Sequence, residues 1–180
     1  GNISMDSSAE FGISFTPDLK QLFFTSNRSK TKNFHIYTSK YENGKWQNAN
    51  LASFSGRYFD ADAFVTLDGE NVFFFSMRPL NNDSIPLKAP NIWYVEHNNK
   101  GWSQAKMIDS TINRVNSGEG YMSFTKDNTI YFSSVGREEG RKHDIYKSVF
   151  LDGNYSEPEF VNVDIETNFS NPYASSDETF

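Results

Sequence analysis

The chain has 180 residues, a formal net charge of −6 and no cysteine. This acidic balance argues against a surface for nucleic acid or anionic membranes, where basic patches are expected. No run of about eighteen apolar residues occurs, so the sequence predicts no transmembrane segment. Aromatic residues make up 16% of the chain. Because aromatic side chains fit pleated, half-buried surfaces, this content favours an all-β protein.

A hairpin pattern recurs along the chain, made of a short strand, a polar turn that contains aspartate, and a strongly apolar second strand. The turn aspartates are spaced 50, 59 and 50 residues apart: Asp18, Asp68, Asp127 and Asp177. An aspartate in a turn accepts hydrogen bonds from nearby backbone N–H groups, so we interpret these four residues as structural. The second strands, such as residues 72–75, are apolar without a break, which indicates strands covered on both faces.

Each copy continues with a third strand, a glycine-containing turn, an aromatic residue and a less apolar fourth strand. The aromatic residues are Trp46, Trp102 and Tyr155, which we interpret as packing between neighbouring sheets. The extra residues of the second copy fall mostly in a loop at 79–90, where insertions are tolerated. Four antiparallel strands in about 50 residues are typical of β-propeller blades, with the first strand innermost. We therefore predict an all-β propeller with blades near 8–55, 56–115 and 116–168, and a fourth that begins near 169.

The segment 103–115 has apolar residues at nearly helical spacing. Its place in the repeat corresponds to a stretch of the third copy that contains Pro158 and alternating apolar residues. Proline interrupts a helix, and alternation is the pattern of a strand. We therefore predict a strand and a loop in this segment.

Residues 15–46 carry the sequence pattern Phe-Thr-Pro-Asp, Leu-Phe-Phe-Thr-Ser-Asn-Arg, Ile-Tyr and Gly-Lys-Trp. This pattern resembles the WD40-like PD40 repeat of TolB-type β-propellers, and the likeness recurs over essentially the whole chain. The resemblance implies a segment of a six-bladed ring, in a family usually exported to the bacterial periplasm or cell surface. The remaining blades would come from a missing portion of the chain or from a second subunit. The glycine of the usual Pro-Asp-Gly turn is present only at Gly69; Leu19, Asn128 and Glu178 replace it elsewhere.

Two further positions recur in register with the turn aspartates. Acidic residues lie eight positions before the first three of them: Glu10, Asp60 and Glu119. Arginines lie ten positions after them: Arg28, Arg78 and Arg137. Because the hairpin reverses at the turn, both sets are expected at the same end of the blade, which in a propeller carries the mouth of the central channel.

Two interpretations of these charged residues stand side by side. As a ring around a pocket, they would bind a sugar, a peptide terminus or a metal, and paired carboxylates would serve glycoside hydrolysis. As structural residues, each acid would brace an arginine of its own or a neighbouring blade. The structural interpretation is favoured, because catalytic groups usually break the symmetry of a repeat.

Two histidines do break that symmetry. His35 and His143 flank the third strands of the first and third copies and have no counterpart in the second. With a neighbouring glutamate they could form a metal or acid–base group, although no two-histidine spacing supports one and solvated side chains are the simpler interpretation. No nucleophile elbow, phosphate-binding glycine loop or metal motif occurs. The sequence therefore predicts no catalytic residue, no metal and no cofactor.

The pattern as a whole favours a non-catalytic binding or scaffolding module. Such a module would present loops at the channel-mouth face to a protein, peptide or glycan partner. The main alternative is a carbohydrate-active enzyme of the glycoside hydrolase type, which would use carboxylates at the channel mouth. A third possibility is a propeller that gates a peptidase, which would need a catalytic domain outside these residues.

Overall fold

The structure is a computed structural model that describes residues 2–31, 33–79, 86–114, 116–139, 143–162 and 171–178. Every regular secondary-structure element within these ranges is a β-strand, which confirms the all-β prediction. The chain divides into two compact units, residues 1–87 with 93–106, and residues 88–92 with 107–180. No helix in the described part of the chain is long and apolar enough to cross a membrane.

Three sheets follow one another along the chain. The first contains β1 (Glu10–Phe15), β2 (Gln21–Ser26), β3 (His35–Glu42), β4 (Lys45–Trp46) and β5 (Asn50–Leu51). The second contains β6 (Asp60–Val65), β7 (Asn71–Ser76), β8 (Asn91–Asn98), β9 (Gly101–Trp102) and β10 (Lys106–Met107). The third contains β11 (Gly118–Phe124), β12 (Ile130–Val135), β13 (Asp144–Ser148) and β16 (Glu159–Phe160), beside a separate hairpin of β14 (Phe150–Leu151) and β15 (Asn154–Tyr155).

Strand order in the sheets is that of propeller blades. The third sheet runs β11-β12-β13-β16, and the first runs β1-β2-β3-β4 with β5 also paired to β3. The second sheet runs β6-β7-β8-β10, with β9 also paired to β8. The first strand of each copy therefore lies at one edge and the fourth at the opposite edge, as propeller blades require. In the segment predicted as a strand and a loop, the described residues 103–114 contain one element of regular structure, strand β10 at Lys106–Met107.

The second strand of each copy carries the core. In β2 and β7 every residue after the first is buried, and Phe23, Phe24 and Phe74 are 0–2% exposed. Full burial of each such side chain stabilises the fold by about 1.5–3 kcal/mol. The unbroken apolar runs thus correspond to strands covered on both faces, as their pattern predicted.

First strands of consecutive copies lie side by side within each unit. In the first unit, the backbone N–H of Val65 donates a hydrogen bond to Oγ of Ser14, 3.0 Å away. In the second unit, the N–H of Ala174 donates to Oγ of Ser123, also at 3.0 Å. Ala174 follows Ser123 at the same separation of 51 residues as Val65 follows Ser14. The start of a fourth blade near residue 169 stays a prediction.

A second repeated feature is a residue in the left-handed region of φ that lies six positions before each turn aspartate. The four residues are Gly12 (φ 58°), Asp62 (φ 48°), Tyr121 (φ 45°) and Asn171 (φ 62°). The strand pairing shifts register around the first three of them, as in a β-bulge. Non-glycine residues rarely take this conformation, so the bulge imposes strain wherever a side chain is present.

The turn aspartates fix the hairpins through two hydrogen bonds. Oδ1 of Asp68 accepts from Oγ1 of Thr66 at 2.6 Å and from the backbone N–H of Glu70 at 2.9 Å. Equivalent bonds reach Asp18 and Asp127 from the threonine two residues before and the N–H two residues after. The threonine bond is the main cause that holds the pKa of each of these three carboxyls below its usual value.

We expect Leu19→Gly to raise the free energy of unfolding by about 0.5–1 kcal/mol. Leu19 has φ 56° and a side chain 65% exposed, so glycine relieves backbone strain and removes little packing. Urea titration of both proteins measures the change. The reverse exchange at the equivalent position, Gly69→Ala, should destabilise the fold, because φ there is 76° and a Cβ would lie 3.1 Å from Cδ of Pro17. A destabilised Leu19→Gly variant would show that the leucine is not strained.

Candidate functional site

Asp60 and Arg78 form a buried ion pair in the second blade. Nη2 of Arg78 lies 2.8 Å from Oδ1 of Asp60 and also donates to the carbonyl oxygen of Phe54 at 3.1 Å. Ser76 donates to Oδ1 of the same carboxylate at 2.6 Å, and Ser55 donates to Oδ2 at 2.7 Å. Both carboxylate oxygens are therefore used inside the blade, and the Asp60 side chain is 0% exposed.

The same pair recurs in the first and third blades. Arg28 lies 3.2 Å from Glu10, and Arg137 lies 4.0 Å from Glu119. In each blade the arginine also donates to a carbonyl of the segment that leads into the blade, at Ile3 and Ile112 respectively. The guanidinium carbon lies 4.8–5.4 Å from two ring centroids, one from the second strand and one from the third: Phe24 and Tyr37, Phe74 and Trp93, Phe132 and Tyr146.

Burial is the largest influence on the pKa values of the third pair, Glu119 and Arg137. It raises the pKa of Glu119 and lowers the pKa of Arg137, since both charged forms lose hydration. In the first blade burial also acts to raise the pKa of Glu10, but hydrogen bonds from Ser8 and Ser4 outweigh it and the pKa is lowered. Asp60 and Glu119 thus lie in closed environments whose donors come from the chain itself, whereas the Glu10 side chain stays 17% exposed.

The structure brings each predicted acid together with the predicted arginine of its own blade. The register pairs Glu10 with Ser26, Asp60 with Ser76 and Glu119 with Ser134, so all six charged residues lie at the blade end opposite the turn aspartates. Their geometry supports a structural role in joining the connector, the first strand and the two aromatic strands. A role in ligand binding stays a prediction.

The two histidines have different environments. His35 is 4% exposed, and its Nδ1 lies 2.9 Å from the carbonyl oxygen of Tyr58. The expectation of a solvated side chain was therefore wrong for His35, because the ring ties β3 to the connector that leads into the second blade. His143 precedes β13 and is half-buried. Among the described residues, no group of three or more histidine, aspartate or glutamate side chains could hold a metal ion.

Asp62 is a candidate site residue that the sequence pattern did not single out. It lies on first strand β6 at the bulge, and its Oδ2 is buried with no hydrogen-bond partner. Burial raises the pKa of this carboxyl to about 6. Gly12, at the same bulge position of the first blade, leaves room for it, because a Cβ there would lie 2.1 Å from Oδ1 of Asp62. The sequence offered one signal for Asp62. It is the only acid among the four residues that lie six positions before a turn aspartate.

An open cleft of about 470 Å³ lies at the turn end of the first unit, between the first two blades. We call it the turn cleft. It is bounded by the β1–β2 turn, the end of β3, the β6–β7 turn and the β8–β9 hairpin. The polar and aromatic side chains that line it include Asp18, Lys20, Lys40, Tyr41, Glu42, Asp68, His97 and Trp102. Its volume falls in the range of about 300–1,000 Å³ typical of small-molecule sites. The sequence pattern missed this cleft, because it assigned the turn aspartates to the hairpins alone.

The aromatic residues that follow the glycine-containing turns pack in two ways. The ring of Trp102 lies 5.6 Å from that of Phe23, which belongs to the preceding sheet, so it packs between sheets as expected. Trp46 instead contacts Phe15 and Tyr41 of its own blade, at 5.8 and 5.3 Å. Tyr155 likewise contacts Phe150 of its own hairpin, at 4.9 Å.

The chain matches no protein-family model, and no curated protein matches it. Among solved structures it is similar to an oligogalacturonate lyase from Vibrio parahaemolyticus, with a TM-score of 0.55 and 12% identity over 89% of this chain and 44% of the lyase. It is also similar to a post-proline cleaving enzyme from Rickettsia typhi, with a TM-score of 0.51 and 10% identity over 88% of this chain and 22% of that one.

At these identities the likeness shows the fold alone. Together with the strand order, it confirms the all-β propeller. The chain spans less than half the length of either neighbour. Membership of the TolB-type family and the number of blades in the complete ring stay predictions.

Proposed function

We propose that this chain is part of a non-catalytic β-propeller that binds or scaffolds a protein, peptide or glycan through its blade ends. The observation that carries the proposal is the burial of two recurring carboxylates, Asp60 and Glu119, beside the arginines of their own blades. A carboxylate that serves as general acid, base or nucleophile must reach the substrate or its protons. Asp60 is fully buried, and its two oxygens accept hydrogen bonds from Ser76 of its own blade and from Ser55 of the connector before it.

The loop at 79–90 belongs to this proposal as one of the presented surfaces. Residues 80–85 lie outside the described part of the chain, but the loop returns to the blade at Leu87, whose N–H donates to the carbonyl oxygen of Met77 at 2.8 Å. The resemblance to TolB-type propellers supports a location in the periplasm or at the cell surface. A signal segment upstream in the full reading frame would test that location.

Two assays on the purified chain test the proposal. Glycans, including oligogalacturonate, and proline-containing peptides should show no product by chromatography. Glycan and peptide arrays should show binding that is reduced when residues 79–90 are replaced by the shorter loop of the first blade, residues 29–34. A matched exchange within the exposed β14–β15 turn serves as control. Turnover of any of these substrates would contradict a non-catalytic role.

A carbohydrate-active enzyme is the second candidate, favoured by Asp62. Its carboxyl has an unpartnered oxygen and a pKa of about 6, which suits a general acid or base near neutral pH. The fold likeness to an oligogalacturonate lyase supports trying that substrate first. If this candidate holds, Asp62→Asn should abolish turnover while the unfolding transition is retained. A wild-type chain without turnover would eliminate it.

A further inference from the structure

Aromatic surfaces at the turn cleft are held in fixed positions. The indole of Trp102 lies 5.6 Å from the Phe23 ring and 4.9 Å from the His97 ring, both in edge-to-face geometry. Tyr41 is held by Trp46, whose ring centroid is 5.3 Å away, yet remains 43% exposed. A rigid aromatic face beside an open cleft offers a stacking surface at little conformational cost.

Polar side chains around the cleft are free to bind a ligand. The side chains of Lys40 and Glu42 make no ion pair or hydrogen bond within the described part of the chain. Lys20 acts on the neighbouring Asp18 carboxylate through its charge, which helps to lower the pKa of Asp18. Asp18 and Asp68 use Oδ1 for their turns, which leaves Oδ2 as an acceptor. Hydrogen bonds from threonine hold the pKa of both aspartates low, so these acceptors stay ionised.

Backbone groups, in contrast, are already paired around the cleft. The N–H of Tyr41 donates to the carbonyl of Lys20, and the N–H of His97 donates to the carbonyl of Glu70, both at 2.7 Å. A peptide that binds by strand addition needs an unpaired sheet edge. These two N–H groups are not available to an added strand, so side chains are the groups left for recognition there, which disfavours an extended peptide.

Charge at the cleft is nearly balanced, with three carboxylates and two ammonium groups among its lining residues. A strongly charged ligand would meet repulsion as well as attraction there, whereas a neutral polyhydroxyl ligand can use both signs. We propose that the turn cleft binds a neutral oligosaccharide, with one sugar ring stacked on Tyr41 and its hydroxyls paired with the surrounding carboxylates and lysines. This inference rests on the proposed binding function and assigns it a ligand class and a site.

Titration calorimetry with neutral tetrasaccharides of glucose, xylose and N-acetylglucosamine tests the inference. We expect saturable binding by the wild-type chain, weakened by about tenfold in Tyr41→Ala and retained in Tyr41→Phe. Glu42→Gln should weaken binding by a smaller factor. Tyr173→Ala removes an aromatic side chain that is 90% exposed and lies outside the cleft, so it should bind as the wild type does. Thermal unfolding of each variant confirms that the fold is retained.

Three outcomes would overturn the inference. They are the absence of binding at millimolar sugar, equal binding by wild type and Tyr41→Ala, and Tyr41-dependent binding of peptides instead of sugars. Each of these leaves the non-catalytic binding function standing, since other loops remain available for a partner. Turnover of a glycan would contradict that function instead, so the two failures are distinguishable.

Discussion

Asp60→Ala should lower the free energy of unfolding by about 3–5 kcal/mol, the usual consequence of breaking one side of a buried ion pair. The substitution leaves the guanidinium of Arg78 without a counter-charge, although only 11% of that side chain is exposed to solvent. Ser76 and Ser55 lose their acceptor at the same time. Urea unfolding followed by tryptophan fluorescence measures the loss.

The exposed ion pair between Lys106 and Glu96 provides a matched control. Its nitrogen–oxygen distance is shorter, at 2.6 Å, but its side chains are 50% and 44% exposed. Lys106→Ala should therefore change stability far less than Asp60→Ala does. The double variant Asp60→Ala/Arg78→Met should recover part of the stability lost in Asp60→Ala, because it also removes the guanidinium charge that Asp60 no longer neutralises. Equal effects of Asp60→Ala and Lys106→Ala would mean that the Asp60 carboxylate is not structural and is available to a ligand.

The blade architecture was accessible from the sequence because its determinants are residue types that repeat. Apolar second strands, turn aspartates and the paired acid and arginine positions all recur at the spacing of the blades. Hairpin register places Ser76 opposite Asp60 and brings Arg78, two residues further along the chain, to the same end of the blade.

The remaining features depend on backbone conformation and on contacts between distant segments. A left-handed φ recurs six residues before each turn aspartate, but the side-chain type at that position does not recur: Gly12, Asp62, Tyr121 and Asn171. No residue type therefore marks the position. His35 is buried and hydrogen-bonded to a carbonyl oxygen 23 residues later in the chain. The sequence around His35 does not reveal this distant contact. The turn cleft likewise forms only where the first two blades meet.

Asp62→Asn should stabilise the protein at pH 8 and have little effect near pH 4. Burial raises the pKa of Asp62 from its ordinary value of 3.8 to about 6, so the folded state resists ionisation of this carboxyl. A shift of about two pKa units corresponds to about 3 kcal/mol. Partial exposure to solvent reduces the expected gain to about 1–2 kcal/mol. Asn171 lies at the equivalent position, six residues before Asp177, and has φ 62°, so asparagine is compatible with this backbone conformation.

The sign of the pH dependence follows from proton binding. Between pH 4 and 6 the folded state keeps the Asp62 proton that the unfolded state has lost, so this group makes stability fall as pH rises and level off above about 6. Asp68 has a lowered pKa and acts in the opposite sense: its contribution is present at neutral pH and lost as pH falls through its folded pKa. Urea unfolding from pH 4 to 8 should therefore show a stabilisation by Asp62→Asn that grows up to about pH 6 and then levels off. Asp68→Asn should destabilise the protein by a nearly constant amount over the same range, because its pH-dependent window lies below the ordinary pKa of 3.8. A constant difference for Asp62→Asn would mean that its carboxylate finds a partner in solution, and would remove the observation that favours a catalytic role for it.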